Sequence, residues 1–227
     1  MNFDQIFEAY YNLYLLESDT PTSTDEEYKV ALRLANEAVS RWENYDGTYW
    51  KELFTTRVAS QDGGAALQAN VKVYDTPANF KEAGGYVKAT NSTGQVVASY
   101  QIIESNQAQF LSDQSSYCFF TGNIGEGYQL NINPAPVTSM TGAIIDYVYY
   151  KQANRFATGA DITEMPIPYF AVHRMLANRF RGSRNPYYST ALQEAEDALK
   201  TMLLMNNSGS WANPWKLPDN SGSIWGV

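Results

Sequence analysis

The feature that most limits how this chain can fold is a hydrophobic period that changes twice. Up to about residue 58, apolar side chains recur at three- and four-residue steps. From about 70 to 157 they alternate, and beyond 168 the wider spacing returns. The first period belongs to helices and the second to strands. Phe3, Ile6, Phe7, Tyr10, Leu13 and Tyr14 make one apolar stripe, and Tyr28, Leu32, Ala35, Val39 and Trp42 make another. Thr24 with Glu27 reads as a capping box opening the second helix. Asn44-Tyr45-Asp46-Gly47 is turn chemistry, and Trp50, Leu53, Phe54 and Val58 suggest a short third helix.

In the alternating region the spacing predicts strands at 71–75, 85–90, 95–103, 116–122, 128–133 and 143–151, with turns at 91–94 and 123–127. No helices alternate with these strands, so the sheet is expected to be antiparallel. After the prolines of 163–168, Phe170, Val172, Met175, Leu176, Ala177 and Phe180 give a broad apolar helix face. Ala191, Ala195, Ala198, Leu199, Met202 and Leu203 give a second. The expected class is α+β: N- and C-terminal helices forming a helical bundle, with an inserted antiparallel β-sheet or small barrel. The bundle takes 1–60 and 160–206, the insertion 61–159, and an extended tryptophan-containing tail 207–227.

A net charge of −8 and a pI near 4.7 argue against a protein that grips phosphate backbones, which takes Lys and Arg. They leave open one that lets DNA pass. The 17 tyrosines suit either half-buried sheet faces or wet contact surfaces. Cys118, the single cysteine, sits in an apolar strand-like run and reads as a small buried hydrophobe. One cysteine makes no internal disulfide, so a reducing compartment is expected. The first residues carry acids and no basic n-region, so no secretory leader is expected, and no apolar run nears the roughly 18 residues of a membrane span.

No residue pattern in the sequence marks a catalytic, cofactor-binding or metal-binding site. A histidine base would have to be His173, the single histidine, which lies in an apolar helix stretch and reads as structural. GNIGEG at 122–127 looks like a phosphate cradle but lies between two strands, which makes it a hairpin turn. Asp161 and Glu164 precede one helix, and Asp25, Glu26 and Glu27 open another, where capping and the macrodipole explain acids. Two distant carboxylates acting as a hydrolase pair stay open. The interface candidates are Arg174, Arg179, Arg181 and Arg184, a basic cluster in an acidic chain. Trp211, Trp215 and Trp225 join them, in a tail suited either to a partner surface or to folding back on its own domain.

These residues carry a likeness. LNINPAP (130–136) followed by a strand ending in YVYYK (147–151) resembles a module of the head-to-tail adaptor proteins of tailed bacteriophages, also called connector, head-completion or tubular gatekeeper proteins. GADITEMPIPYFAVHRMLANRF (159–180) is similar to the family's acidic lead into its first C-terminal helix, and EAEDALKTML (194–203) to the second. The 16–43 segment fits the long helices that such proteins pack near the portal. The resemblance implies a ring of twelve copies in the virion neck, assembled in the host cytoplasm. The ring would be bound to a portal and to tail or nozzle proteins, with DNA passing through the lumen and no cofactor or membrane. A carbohydrate- or receptor-binding module of a virion is the rival reading, and a carboxylate hydrolase the other.

Overall fold

The structure is a computed structural model that describes residues 1–14, 21–57, 65–112, 115–182 and 187–207. Contacts divide these residues into two compact units. One is built from Met1–Leu53 with residues 153–207, the other from Phe54–Gln152.

The first unit holds four helices: α1 (Phe3–Tyr14), α2 (Glu26–Glu43), α3 (Tyr169–Arg179) and α4 (Tyr187–Asn207). α1 buries Phe3, Ile6, Phe7, Tyr10 and Tyr11, so its apolar stripe is turned toward Tyr11 and leaves Leu13 exposed. Asp25 holds the N-cap position of α2 without a side-chain bond to the helix, and the expected Thr24–Glu27 box does not form. The Asp25 carboxylate accepts the Thr22 N–H at 2.6 Å and its hydroxyl at 2.9 Å, while Glu27 is taken by Arg179. Trp42 and Trp50 pack 5.3 Å apart, and the Trp50 indole donates to the Trp42 carbonyl at 2.7 Å. The expected third helix shrinks to one 3-10 turn, Lys51–Leu53, because Phe54 already begins a strand; Val58 lies outside the described residues. Thr55 and Thr56 are β-branched, and cross-strand pairing decides their state.

The centre of this unit is α3, which packs against α4, α2 and α1, whereas α1 and α2 touch each other only slightly. Much of its wall is irregular chain. Arg155 reaches Glu43 at 2.5 Å, and the Asn36 side chain exchanges hydrogen bonds with the Phe156 backbone at 2.8 and 2.9 Å. Phe3 N–H donates to the Asp161 carbonyl at 3.0 Å, and Asp4 N–H to that of Gly159 at 2.9 Å. A Cβ on Gly159 would run into the Asp4 carboxylate, which explains a glycine there.

The second unit is a curled sheet of eight strands: β1 (Phe54–Arg57), β2 (Val73–Asp75), β3 (Phe80–Ala83), β4 (Tyr86–Thr90), β5 (Val96–Ile102), β6 (Tyr117–Asn123), β7 (Gly127–Asn133) and β8 (Ile144–Lys151). The order is β1-β8-β4-β5-β6-β7-β2, with β3 also on β8. β8 is the hub. β1 runs along one side of it, and β3 and β4 lie in line along the other, interrupted at Gly84–Gly85. Most pairs are antiparallel, but β5 and β6 run parallel, through Gln101↔Tyr117 and Ile102↔Cys118. β1 and β2 end the order unpaired with each other, so the sheet stays an open half-barrel.

The expected class is therefore corrected. The chain is mixed α/β, with four helices and a curled mixed sheet, and not a terminal helical bundle flanking an inserted antiparallel sheet or small barrel. Two causes are visible. Residues 153–168 take a structural place that helix-on-helix seams would hold in a bundle. The chain from Ile102 to Tyr117 passes through a 3-10 turn at Ala108–Phe110 and returns in the parallel sense.

The sheet's core gathers Val87, Cys118, Leu130, Ile132 and Ile145 around an aromatic cluster. Phe80 stands 4.6 Å from Phe120, 5.2 Å from Tyr128 and 5.7 Å from Tyr149, ring to ring. Such pairs contribute about 0.5–1.5 kcal/mol each beyond the area they bury. GNIGEG is a hairpin turn: Asn123 Oδ1 accepts from the N–H of Gly125 at 2.8 Å and of Glu126 at 3.0 Å. A Cβ on Gly122, at φ +110°, would meet the Gly127 carbonyl oxygen.

Candidate functional site

α3 carries two of the candidate arginines, and they have different surroundings. Arg179, in the last turn, is engaged within the chain. Its Nη1 donates to Glu27 Oε1 at 2.6 Å and to the Tyr10 hydroxyl at 2.8 Å, joining α1, α2 and α3. Arg174, five residues earlier, is half-buried and makes no ion pair among the described residues. It lines a cavity of about 250 Å³ together with Arg41, Tyr45, Phe170, Glu196 and Lys200. Burial, aided by the nearby Arg41 charge, holds the Arg174 guanidinium below its ordinary pKa. Arg181 follows α3 and is exposed. Arg184 and the tail tryptophans Trp211, Trp215 and Trp225 lie outside the described residues.

Sequence reasoning did not single out Arg41 or Lys200. Arg41 sits on α2 and Lys200 on α4, and nothing in the local pattern of either helix says that they share a cavity with α3. Each even has an acid at helical spacing in its own helix, Glu37 for Arg41 and Glu196 with Asp197 for Lys200, so the sequence carries no signal that sets them apart.

The acids ahead of α3 are loop staples, which corrects their reading as helix-start acids. Asp161 accepts from the N–H groups of Ala157 at 2.7 Å and Thr158 at 2.6 Å, and Glu164 from Asn154 at 2.8 Å; α3 itself starts behind Pro168. Those backbone donors hold Asp161 below the usual carboxylate range, as the Thr22 donors hold Asp25. Neither is a raised acid of the kind a glycoside-type pair requires. A larger, open cavity of about 850 Å³ lies beside α1, the start of α2 and residues 157–160. In it the Tyr28 hydroxyl donates to Asp4 at 2.6 Å, and burial with that bond pushes the Tyr28 phenol up to about 12.

His173 is half-buried on α3, its Nδ1 without a hydrogen-bond partner, and burial lowers its pKa. Cys118 is fully buried, and burial pushes its thiol up to about 12, so it packs as the small hydrophobe its sequence neighbours suggest. Among the described residues no three His, Cys, Asp or Glu side chains gather as a metal site, and no helix is long and apolar enough to cross a membrane. No protein-family model matches the chain, and no curated protein matches it.

Proposed function

We propose that the chain is a non-enzymatic structural protein of a phage neck. Copies close into an adaptor ring that joins the portal to tail or nozzle proteins, and DNA passes through its lumen. The reading begins from the adaptor resemblance of residues 130–151 and 159–203. In the folded chain these segments supply β8, the hub of the sheet, and α3, the helix on which the other three pack.

One observation carries the reading further: both units hold large apolar side chains out to solvent. Phe110 is 81% exposed and Ile124 also stands out in the sheet unit. Leu204, 71% exposed, stands with Met205 near the end of α4, and Tyr187 is exposed at its start. Apolar side chains of this size favour cover by a neighbouring molecule, as ring closure through heterologous contacts would provide. The charge of −8 fits a channel wall that gives passing phosphates little to hold.

The sugar-binding rival needs aromatics free on a sheet face. Here Tyr86 on β4 is exposed, while Phe80, Tyr147 and Tyr149 are buried against one another and form no open platform.

The test is the mass of the purified chain in solution, with and without a portal ring, by native mass spectrometry. A closed ring of about twelve copies on the portal is the expected result. A chain that stays monomeric and ignores the portal overturns the proposal.

A further inference from the structure

The cavity at Arg174 has a composition that its own chain does not balance. Arg41, Arg174 and Lys200 line it with one carboxylate, Glu196. Lys200 has a partner outside the lining, Asp197 at 3.2 Å. Among the described residues Arg41 and Arg174 have no ion pair, in a chain whose sequence carries 24 acids against 16 bases. By contrast Arg33, on the same helix as Arg41, lies 4.0 Å from Glu37, and Arg155 and Arg179 are each tied to a glutamate. Two guanidinium groups set near each other repel, and one of them gives up part of its hydration to be there. Phe170, Ala195 and Leu199 supply an apolar floor that lowers the local dielectric.

We propose that this cavity is an oxyanion-binding site, in which Arg41 and Arg174 clamp a phosphate- or carboxylate-type group. Guanidinium forks match the paired oxygens of both groups, and each contact is a charge-assisted hydrogen bond. At about 250 Å³ the space is smaller than most sites for drug-sized ligands, which suits a single anionic group on a small carrier. Tyr45 also lines the cavity, and a tyrosine hydroxyl is a donor an anion can use. The site is a property of the helical unit alone and stands whether or not the chain closes into a ring.

The full chain is titrated separately with sodium phosphate and sodium glutarate at constant ionic strength, by calorimetry and by thermal unfolding. At least one anion should bind with one site per chain and raise the unfolding temperature. Arg174→Gln should weaken that binding about tenfold or more, the value of one charge-assisted hydrogen bond. Arg33→Gln, which removes an equal charge from α2, should bind like the parent chain. Tighter phosphate identifies a phosphate-class ligand, and tighter glutarate a carboxylate. Should Arg174→Gln not fold, Arg41→Gln at the exposed wall carries the same comparison. Binding of neither anion, or equal weakening by Arg33→Gln, overturns the assignment.

Discussion

Replacing Arg155 by Met is the sharpest probe of how residues 153–168 hold the helical unit. Glu43 ends α2 with its side chain 3% exposed, and Arg155, 39% exposed, reaches its Oε2 at 2.5 Å. Removing one partner of a fully buried pair costs about 3–5 kcal/mol, because the other charge stays behind without its counterion. Water already reaches more than a third of Arg155, and pairs open to water contribute far less. A cost of about 2 kcal/mol follows for Arg155→Met. For a chain of this size that lowers the unfolding temperature by roughly 4–8 °C. The assay is urea unfolding of the parent, Arg155→Met, Glu43→Gln and the double variant, followed by tryptophan fluorescence. The double variant should be less destabilised than the two single changes added together, by at least about 1 kcal/mol. An additive cycle, or an Arg155→Met chain within about 0.5 kcal/mol of the parent, refutes the reasoning.

Phe80→Ala should cost about 3–5 kcal/mol by opening a void between Phe120, Tyr128 and Tyr149, read as a lower urea midpoint of the sheet unit. Gly159→Ala should cost about 1–3 kcal/mol, since the new methyl displaces the Asp4 carboxylate from under the Tyr28 hydroxyl; near-parent stability argues against that close approach. Cys118 should resist alkylation at pH 8 in the folded chain and react fully in denaturant, as a buried thiol pushed up to about 12 must. Asp25 and Asp161 have folded pKa values below their unfolded ones, so the unfolded chain takes up protons first as the pH falls. Their stabilisation is complete above the ordinary carboxylate range and is lost below about pH 4, and Asp161→Asn should flatten that acid limb of the stability curve.

The helices and six of the strands could be read in the sequence because each has a face that keeps one period. Phe3, Ile6, Phe7 and Tyr10 are buried as their spacing says, and so are Ile145, Tyr147 and Tyr149 on β8. β1 and β3 were not readable. FTTR is short and hides Arg57, whose guanidinium is accepted by the Asp75 carbonyl at 2.7 Å, a partner 18 residues on. FKEA carries two charges and only one fully buried side chain. The parallel contact of β5 and β6 spans two residue pairs, too few to leave a period. At the candidate cavity the residues come from α2, α3 and α4, so each looks like an ordinary surface cation in its own helix.

The place of β8 in the sheet also decides when the chain can finish folding. It is the last strand to leave the ribosome, yet β1, β3 and β4 all pair with it, and Phe54 must find Tyr150 across 96 residues of sequence. Until then β1 and β3 have no ladder partner among the described strands, and the β4 edge meant for β8 stands open. The helical unit waits still longer, because α3 and α4 come after it in sequence. Closing contacts of such long range are slow, and open strand edges invite pairing with other chains. A ribosome-bound fragment ending near residue 140 should therefore stay protease-sensitive and prone to aggregation, and lengthening it until residue 151 has cleared the ribosome should protect the sheet.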